Sequence, residues 1–197
     1  MKTIGYKLKS FAVTGVKPGA LTGHDAFETI TEKSFEGKWK IIVFYPKDFT
    51  FVCPTEIVAY DKLVNDFNDR DAVLLIGSTD NEFCKIAWRN AHEDLKKTNS
   101  WGFADTLREG RHKYDYDSDD YKILSPSGLA YQLGILEETS GVALRATFIV
   151  DPDNVIQHVT CNNLNVGRSP EETLRILDAL QTGELCACNR SIGGETL

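Results

Sequence analysis

An α/β sandwich, with helices flanking a central mixed β-sheet and a C-terminal arm, is the fold class this chain predicts. Three observations carry it. Short β-branched and apolar runs alternate with amphipathic stretches of helical period along the sequence. One run, Ala72 to Ser78, is continuously apolar, as expected of a strand covered on both faces. Leu144–Val150, the turn Pro152-Asp153-Asn154 and Val155–Thr160 read as an antiparallel hairpin, which makes the sheet mixed.

The elements follow in order. A polar N-terminal arm precedes a strand at Trp39–Tyr45. Glu56-Ile57-Val58-Ala59-Tyr60 opens an amphipathic helix that runs to about Asn68. After the Ala72–Ser78 strand, Glu82–Lys96 reads as a helix with Phe83, Ile86, Ala87 and Leu95 apolar. Thr98–Asp120 reads as a long inserted loop. Tyr121–Pro126 is then a strand, Ser127–Leu136 a short helix, and the hairpin follows. Ser169-Pro170-Glu171-Glu172 starts the last helix with a serine cap, proline at the first position and acidic residues facing the positive dipole end. Its apolar face holds Leu174, Leu177 and Leu180. The expected organisation is one domain over residues 1–180 and a tail over 181–197, with no internal repeat.

Composition narrows the function. A chain of 197 residues supports one domain with a real core. A net charge of −7 without a basic stripe argues against nucleic-acid binding. The basic start, Met1 to Ser10, lacks the apolar stretch of a signal peptide, and no apolar run is long enough to span a membrane. Five cysteines, an odd set, fit reactive thiols in a reducing cytoplasm better than a secreted disulfide framework.

The chemistry concentrates at Pro46-x-x-x-Thr50-x-x-Cys53, inside Phe44-Tyr45-Pro46-Lys47-Asp48-Phe49-Thr50-Phe51-Val52-Cys53-Pro54-Thr55-Glu56. Cys53 falls where a strand gives way to a helix, and Pro54 suits the first helical position because its missing N–H is no loss there. Unpaired amides and the helix dipole then face the sulfur. Such a site lowers a thiol from its usual pKa of about 8.5, so that a thiolate exists at neutral pH. Thr50 stands where a disulfide exchanger would carry its other cysteine. It can offer a hydroxyl to a bound oxygen but cannot resolve an oxidised sulfur.

A resolving thiol is available in Glu184-Leu185-Cys186-Ala187-Cys188-Asn189, beyond the last helix. Peroxide converts a thiolate to a sulfenic acid, which condenses with a second thiol to a disulfide. An external thiol then reduces that disulfide by exchange. Cys186-x-Cys188 lacks the spacing and second ligand pair of a zinc site, and no histidine is near.

These residues resemble the peroxiredoxins. Pro46, Thr50 and Cys53 match the family's Pro-x-x-x-Thr/Ser-x-x-Cys signature, and Phe-Val-Cys-Pro-Thr-Glu is the block of its typical two-cysteine branch. Arg145, in Arg-Ala-Thr-Phe-Ile-Val-Asp, matches the family arginine that binds peroxide and stabilises the thiolate. The Cys-x-Cys tail resembles the bacterial alkyl hydroperoxide reductase C variety, and the likeness runs from about Phe35 to Cys188.

The resemblance implies a thioredoxin-like fold and reduction of hydrogen peroxide and alkyl hydroperoxides in antioxidant defence, with no metal or other cofactor. It implies Cys53 as the attacking thiol, Cys186 as the resolving one, and Cys188 as relay or substitute. Thr50 and Arg145 would donate to the departing oxygen, and Pro46 would shield the sulfur without competing for its bonds. Glu56 would orient Arg145. The implied partners are an AhpD-type adaptor, thioredoxin or AhpF-like reductase, and further copies of the chain forming a dimer and a ring. The Val155–Cys161 strand would be the dimer seam if it forms the sheet edge.

Two rival readings are a thiol–disulfide oxidoreductase, which Thr50 disfavours, and a holdase assembly without peroxidase chemistry. Other features carry less. Asp115-Tyr116-Asp117-Ser118-Asp119-Asp120 fails as a calcium loop because Asp120 and Pro126 hold its glycine and glutamate positions. Pro126 also stands where the resemblance calls for aspartate. Cys84 and Cys161 read as packed or incidental thiols, and Trp88 as packing near Cys53. The family's Gly-Gly-Leu-Gly and C-terminal Tyr-Phe elements are absent. Resistance to sulfinic inactivation is therefore expected: residual activity after high peroxide should exceed that of a relative carrying both elements, and equal loss would refute this.

Overall fold

The computed structural model describes residues 1–22, 24–107, 128–137 and 139–197. Its strands are β1 (Ala12–Val16), β2 (Phe27–Thr31), β3 (Trp39–Phe44), β4 (Ala72–Ser78), β5 (Trp101–Ala104), β6 (Arg145–Val150) and β7 (Ile156–Asn162). The helices are α1 (Cys53–Asp61), α2 (Val64–Asn68), α3 (Glu82–Ala91), α4 (Leu129–Leu133) and α5 (Pro170–Thr182). One mixed sheet runs β2-β1-β5-β4-β3-β6-β7, with β3, β4 and β5 parallel and every other pairing antiparallel.

Alternation along the central strands divides the core into two layers. Ile42, Phe44, Leu75 and Phe148 pack with α4 and the N-terminal segment on one face. Ile41, Val43, Leu74, Ile76 and Ile149 face α1, α3 and α5 on the other, in the layer that holds Cys53. Tyr60 of α1, fully buried, hydrogen bonds both Thr147 of β6 (2.9 Å) and Thr173 of α5 (3.1 Å). Two such bonds contribute about 1 kcal/mol each and fix α1 over the sheet.

Several elements depart from the sequence expectations. The polar arm contains the hairpin β1–β2, held to the core by Val13, Val16 and Ile30. Five-residue strands with threonine and glutamate on the open face carry too little alternation to stand out from a loop. The stretch 98–120, read as inserted loop, supplies β5, an interior strand pairing Leu75 with Trp101 and Gly77 with Phe103. Its four residues and central Gly102 hide it, whereas the bare Gly77 opposite leaves room that a Cβ would take from the Phe103 ring and carbonyl. Residues 108–120, the acidic run at 115–120 and the strand expected at Tyr121–Pro126 lie outside the described residues.

The helix expected to span residues 56–68 breaks between α1 and α2, and the one expected over Glu82–Lys96 stops at Ala91, where His92 turns extended. The last helix has the expected start: the Ser169 side chain accepts from the Glu172 amide, with Pro170 in the first turn. β7 forms one edge of the sheet.

Asp105 follows directly after β5. Its carboxylate accepts from the amides of Leu129 and Ala130 and so starts α4. Burial pushes this carboxyl up to about 6, against those two bonds, which pull it down. A folded value above the unfolded one means that its contribution to stability is full below about pH 4 and lost as pH rises through 6. Asp105→Asn cannot titrate. The stability of the variant relative to wild type should therefore improve as pH is raised from 4 to 7, measured by denaturant unfolding; a constant difference would refute the assignment.

Candidate active site

Cys53 is the first residue of α1 and is fully buried, with Pro54 in the second helical position rather than the first. Its sulfur accepts a hydrogen bond from Arg145 Nη1 at 3.4 Å. Strand register explains the meeting. β3 and β6 pair Val43 with Thr147, and continuing that ladder brings Arg145 alongside Tyr45, where β3 ends and the chain turns toward Cys53.

The guanidinium is held from behind. Arg145 Nη1 donates to Glu56 Oε2 at 2.5 Å, and its Nε donates to the Leu164 carbonyl. Glu56, three residues after Cys53 and buried, takes a second guanidinium on its other oxygen. Arg168 Nε donates to Oε1 at 2.8 Å, and the Arg168 amide donates to the same atom at 3.0 Å. Arg168 also donates to the Ala146 carbonyl and lies over the Tyr60 ring. Two cations thus surround one carboxylate beside the sulfur, and the cluster is electroneutral when the sulfur is a thiolate. A buried, preorganised donor of this kind stabilises negative charge far better than it would in water.

The rest of the expected set is arranged less directly. Pro46 is buried at the end of β3. Thr50 is half-buried, and its hydroxyl donates to the Lys47 carbonyl at 3.0 Å. Cys186 and Cys188 lie on the tail beyond α5. The Cys186 sulfur is near Thr182 Oγ1 and the carbonyls of Ala179 and Glu184, and Cys188 is exposed. The tail is tied to its own chain by Arg190, which donates to Asp178 of α5 at 2.7 Å. All five thiols are free, and Cys186 and Cys53 share no bond.

Cys84, on α3, is pushed up to about 11 by burial and by the charges of Asp48 and Asp80, so it stays protonated at neutral pH. Burial also raises the Cys161 thiol. Trp88 packs at a tilt against Phe49 and Tyr45, with ring centroids 5.8 and 6.0 Å away. Among the described residues, no group of three or more His, Cys, Asp or Glu side chains converges to hold a metal. No described helix is long and apolar enough to cross a membrane.

Sequence reading missed Arg168, and it missed a buried group formed by Tyr45, Asp48, Ser78 and Lys85. No local pattern announces either. Arg168 precedes a helix cap and Lys85 lies in a helical run, both ordinary places for exposed charge.

Fold and site together define a thiol-dependent peroxidase of the peroxiredoxin class. The AhpC/TSA family model matches residues 4–159. Alkyl hydroperoxide reductase C of Mycolicibacterium smegmatis is 46% identical over 201 aligned positions, covering 99% of this chain and 93% of that protein. Peroxiredoxin TSA1-B of Candida albicans is 39% identical over 194 positions, covering 95% and 87%. The solved structure of Mycobacterium tuberculosis AhpC superposes with a TM-score of 0.78 at 41% identity, covering 95% of this chain and 97% of that one. The chain belongs to the AhpC/TSA family.

Glu56→Gln keeps the side-chain shape but leaves two buried guanidiniums without their shared anion. It should cost about 3–5 kcal/mol of stability, the usual penalty for breaking a buried pair. Denaturant midpoints compared with a surface control such as Glu195→Gln would check this, and a loss no larger than the control's would refute it.

Proposed function

We propose that Cys53 is the peroxidatic thiol of a two-cysteine cycle. The observation that carries the reading is the buried sulfur at the start of α1 with Arg145 Nη1 3.4 Å away. The Cys53 thiolate attacks one oxygen of a hydroperoxide and the O–O bond breaks. The alkoxide or hydroxide leaves and takes up a proton, giving alcohol or water. Sulfur is oxidised by two electrons to the sulfenic acid, and the peroxide is reduced by two. Arg145 donates to the reacting oxygens, Thr50 turns its hydroxyl from Lys47 toward them, and Pro46 closes the pocket. Glu56 positions Arg145.

Cys186, in the arm over residues 181–197, then attacks the sulfenic sulfur. The S–S bond forms and water leaves. Resolution comes from a neighbouring copy. Cys188 relays the disulfide outward or substitutes for Cys186. An external dithiol completes the turnover, an AhpD-type adaptor, thioredoxin or AhpF-like reductase. The edge position of β7 supports a dimer seam there, with dimers joining into a ring. The substrates are hydrogen peroxide, small alkyl hydroperoxides and peroxynitrite, the last releasing nitrite as its leaving group, and the setting is the cytoplasm. The domain over residues 1–180 needs no metal or organic cofactor for this chemistry.

Stopped-flow oxidation of the reduced protein by hydrogen peroxide, followed by non-reducing gels and peptide mapping, tests the reading. Fast oxidation that disappears in Cys53→Ser, with a cross-subunit Cys53–Cys186 disulfide in wild type, is expected. Slow oxidation indifferent to Cys53 would overturn it.

A further inference from the structure

The cycle requires Cys53, which is fully buried, to meet a thiol that rests elsewhere on the tail. The loop of residues 46–52, carrying Pro46 and Thr50 and leading into α1, must therefore hold one shape for peroxide and yield it for resolution. A buried cation lies against that loop. Lys85 of α3, 4% exposed, donates from Nζ to Asp48 Oδ1 (3.3 Å), Tyr45 Oη (3.2 Å) and Ser78 Oγ (2.8 Å). Tyr45 Oη donates to the same Asp48 oxygen at 2.6 Å, and the Asp48 amide donates to Asp80 at 2.7 Å. One turn further along α3, Trp88 packs at a tilt against Phe49.

The closed loop carries costs. Phe49 has φ +55°, a conformation that L-residues other than asparagine and aspartate rarely adopt. Asp48 Oδ2 is buried with no partner among the described residues, a second cost of closure. Strain and an unmet acceptor favour release, while the Lys85–Asp48 pair and the Trp88 contact oppose it. Such a balance makes a two-position element that small changes can tip.

We infer that Lys85 is a positioning residue, latching the Pro46–Val52 loop to α3 through Asp48 and setting how readily Cys53 leaves its pocket. The inference rests on the peroxidase reading above and extends it to a residue that touches neither substrate nor sulfur. The latch acts oppositely on the two steps: closed, it favours attack on peroxide; open, it favours the disulfide.

Lys85→Met removes the ammonium at similar length. Lys85→Met with Asp48→Asn removes both charges, so that no carboxylate is left buried alone if the single variant folds poorly. In either, sulfenic acid formation should slow by about tenfold or more, as for modest misplacement of a reacting constellation. Disulfide formation from the sulfenic acid should be as fast as in wild type or faster. Hydrogen exchange of peptides covering residues 46–56 should rise in the reduced protein while β3 and β4 stay protected. Both steps unchanged, or both slowed by the same factor, overturn the latch while leaving Cys53 as the peroxidatic thiol. A wild-type Cys53 inert to peroxide overturns the latch and the peroxidase reading together.

Discussion

A single buried carboxylate organises the centre of this protein. Glu56 faces Arg145 with one oxygen and Arg168 with the other, and Arg145 in turn reaches Cys53. Two guanidiniums without an anion would not be tolerated in this layer, and one carboxylate leaves a unit of positive charge unmatched. A thiolate at Cys53 would supply the remaining charge. The same ion pairs that join α1, β6 and the turn before α5 hold a guanidinium against the sulfur, so packing and the electrostatics of the site are one problem here.

The sheet solves that problem by register. Arg145 begins β6 beside the end of β3, and the loop from β3 delivers Cys53 to the same end of the sheet. Tyr60 then anchors α1 to Thr147 and Thr173 one to two turns beyond the sulfur. Arg145 is carried by the start of β6, while Cys53 follows the loop that leaves β3. The tail with Cys186 and Cys188 is tied to α5 by Arg190 and Asp178.

Chemistry written in contiguous residues is legible in the order of the chain. Pro46, Thr50, Cys53 and Pro54 sit within nine positions, and their meaning depends on local backbone preference and dipole alone. The serine cap and proline of α5 are readable for the same reason. β1, β2 and β5 are not, because strands of four or five residues owe their existence to partners distant in sequence. Reading residues 98–120 as loop fails at Trp101–Ala104 on that account, and Asp105, in the same stretch, bonds the first amides of α4.

The sequence by itself determined the placement of Cys53 at a helix start, the α/β class, and the presence of thiols on a trailing segment. Each is a statement about neighbours along the chain, where spacing and propensity carry the information. Only the tertiary structure decided which charges are buried together. Glu56 meets Arg168 across 112 positions and Lys85 meets Asp48 across 37. A lysine or arginine in a polar stretch looks the same whether it faces water or a buried carboxylate. Desolvation, which makes those pairs matter, is a property of the packed layers and has no local signature.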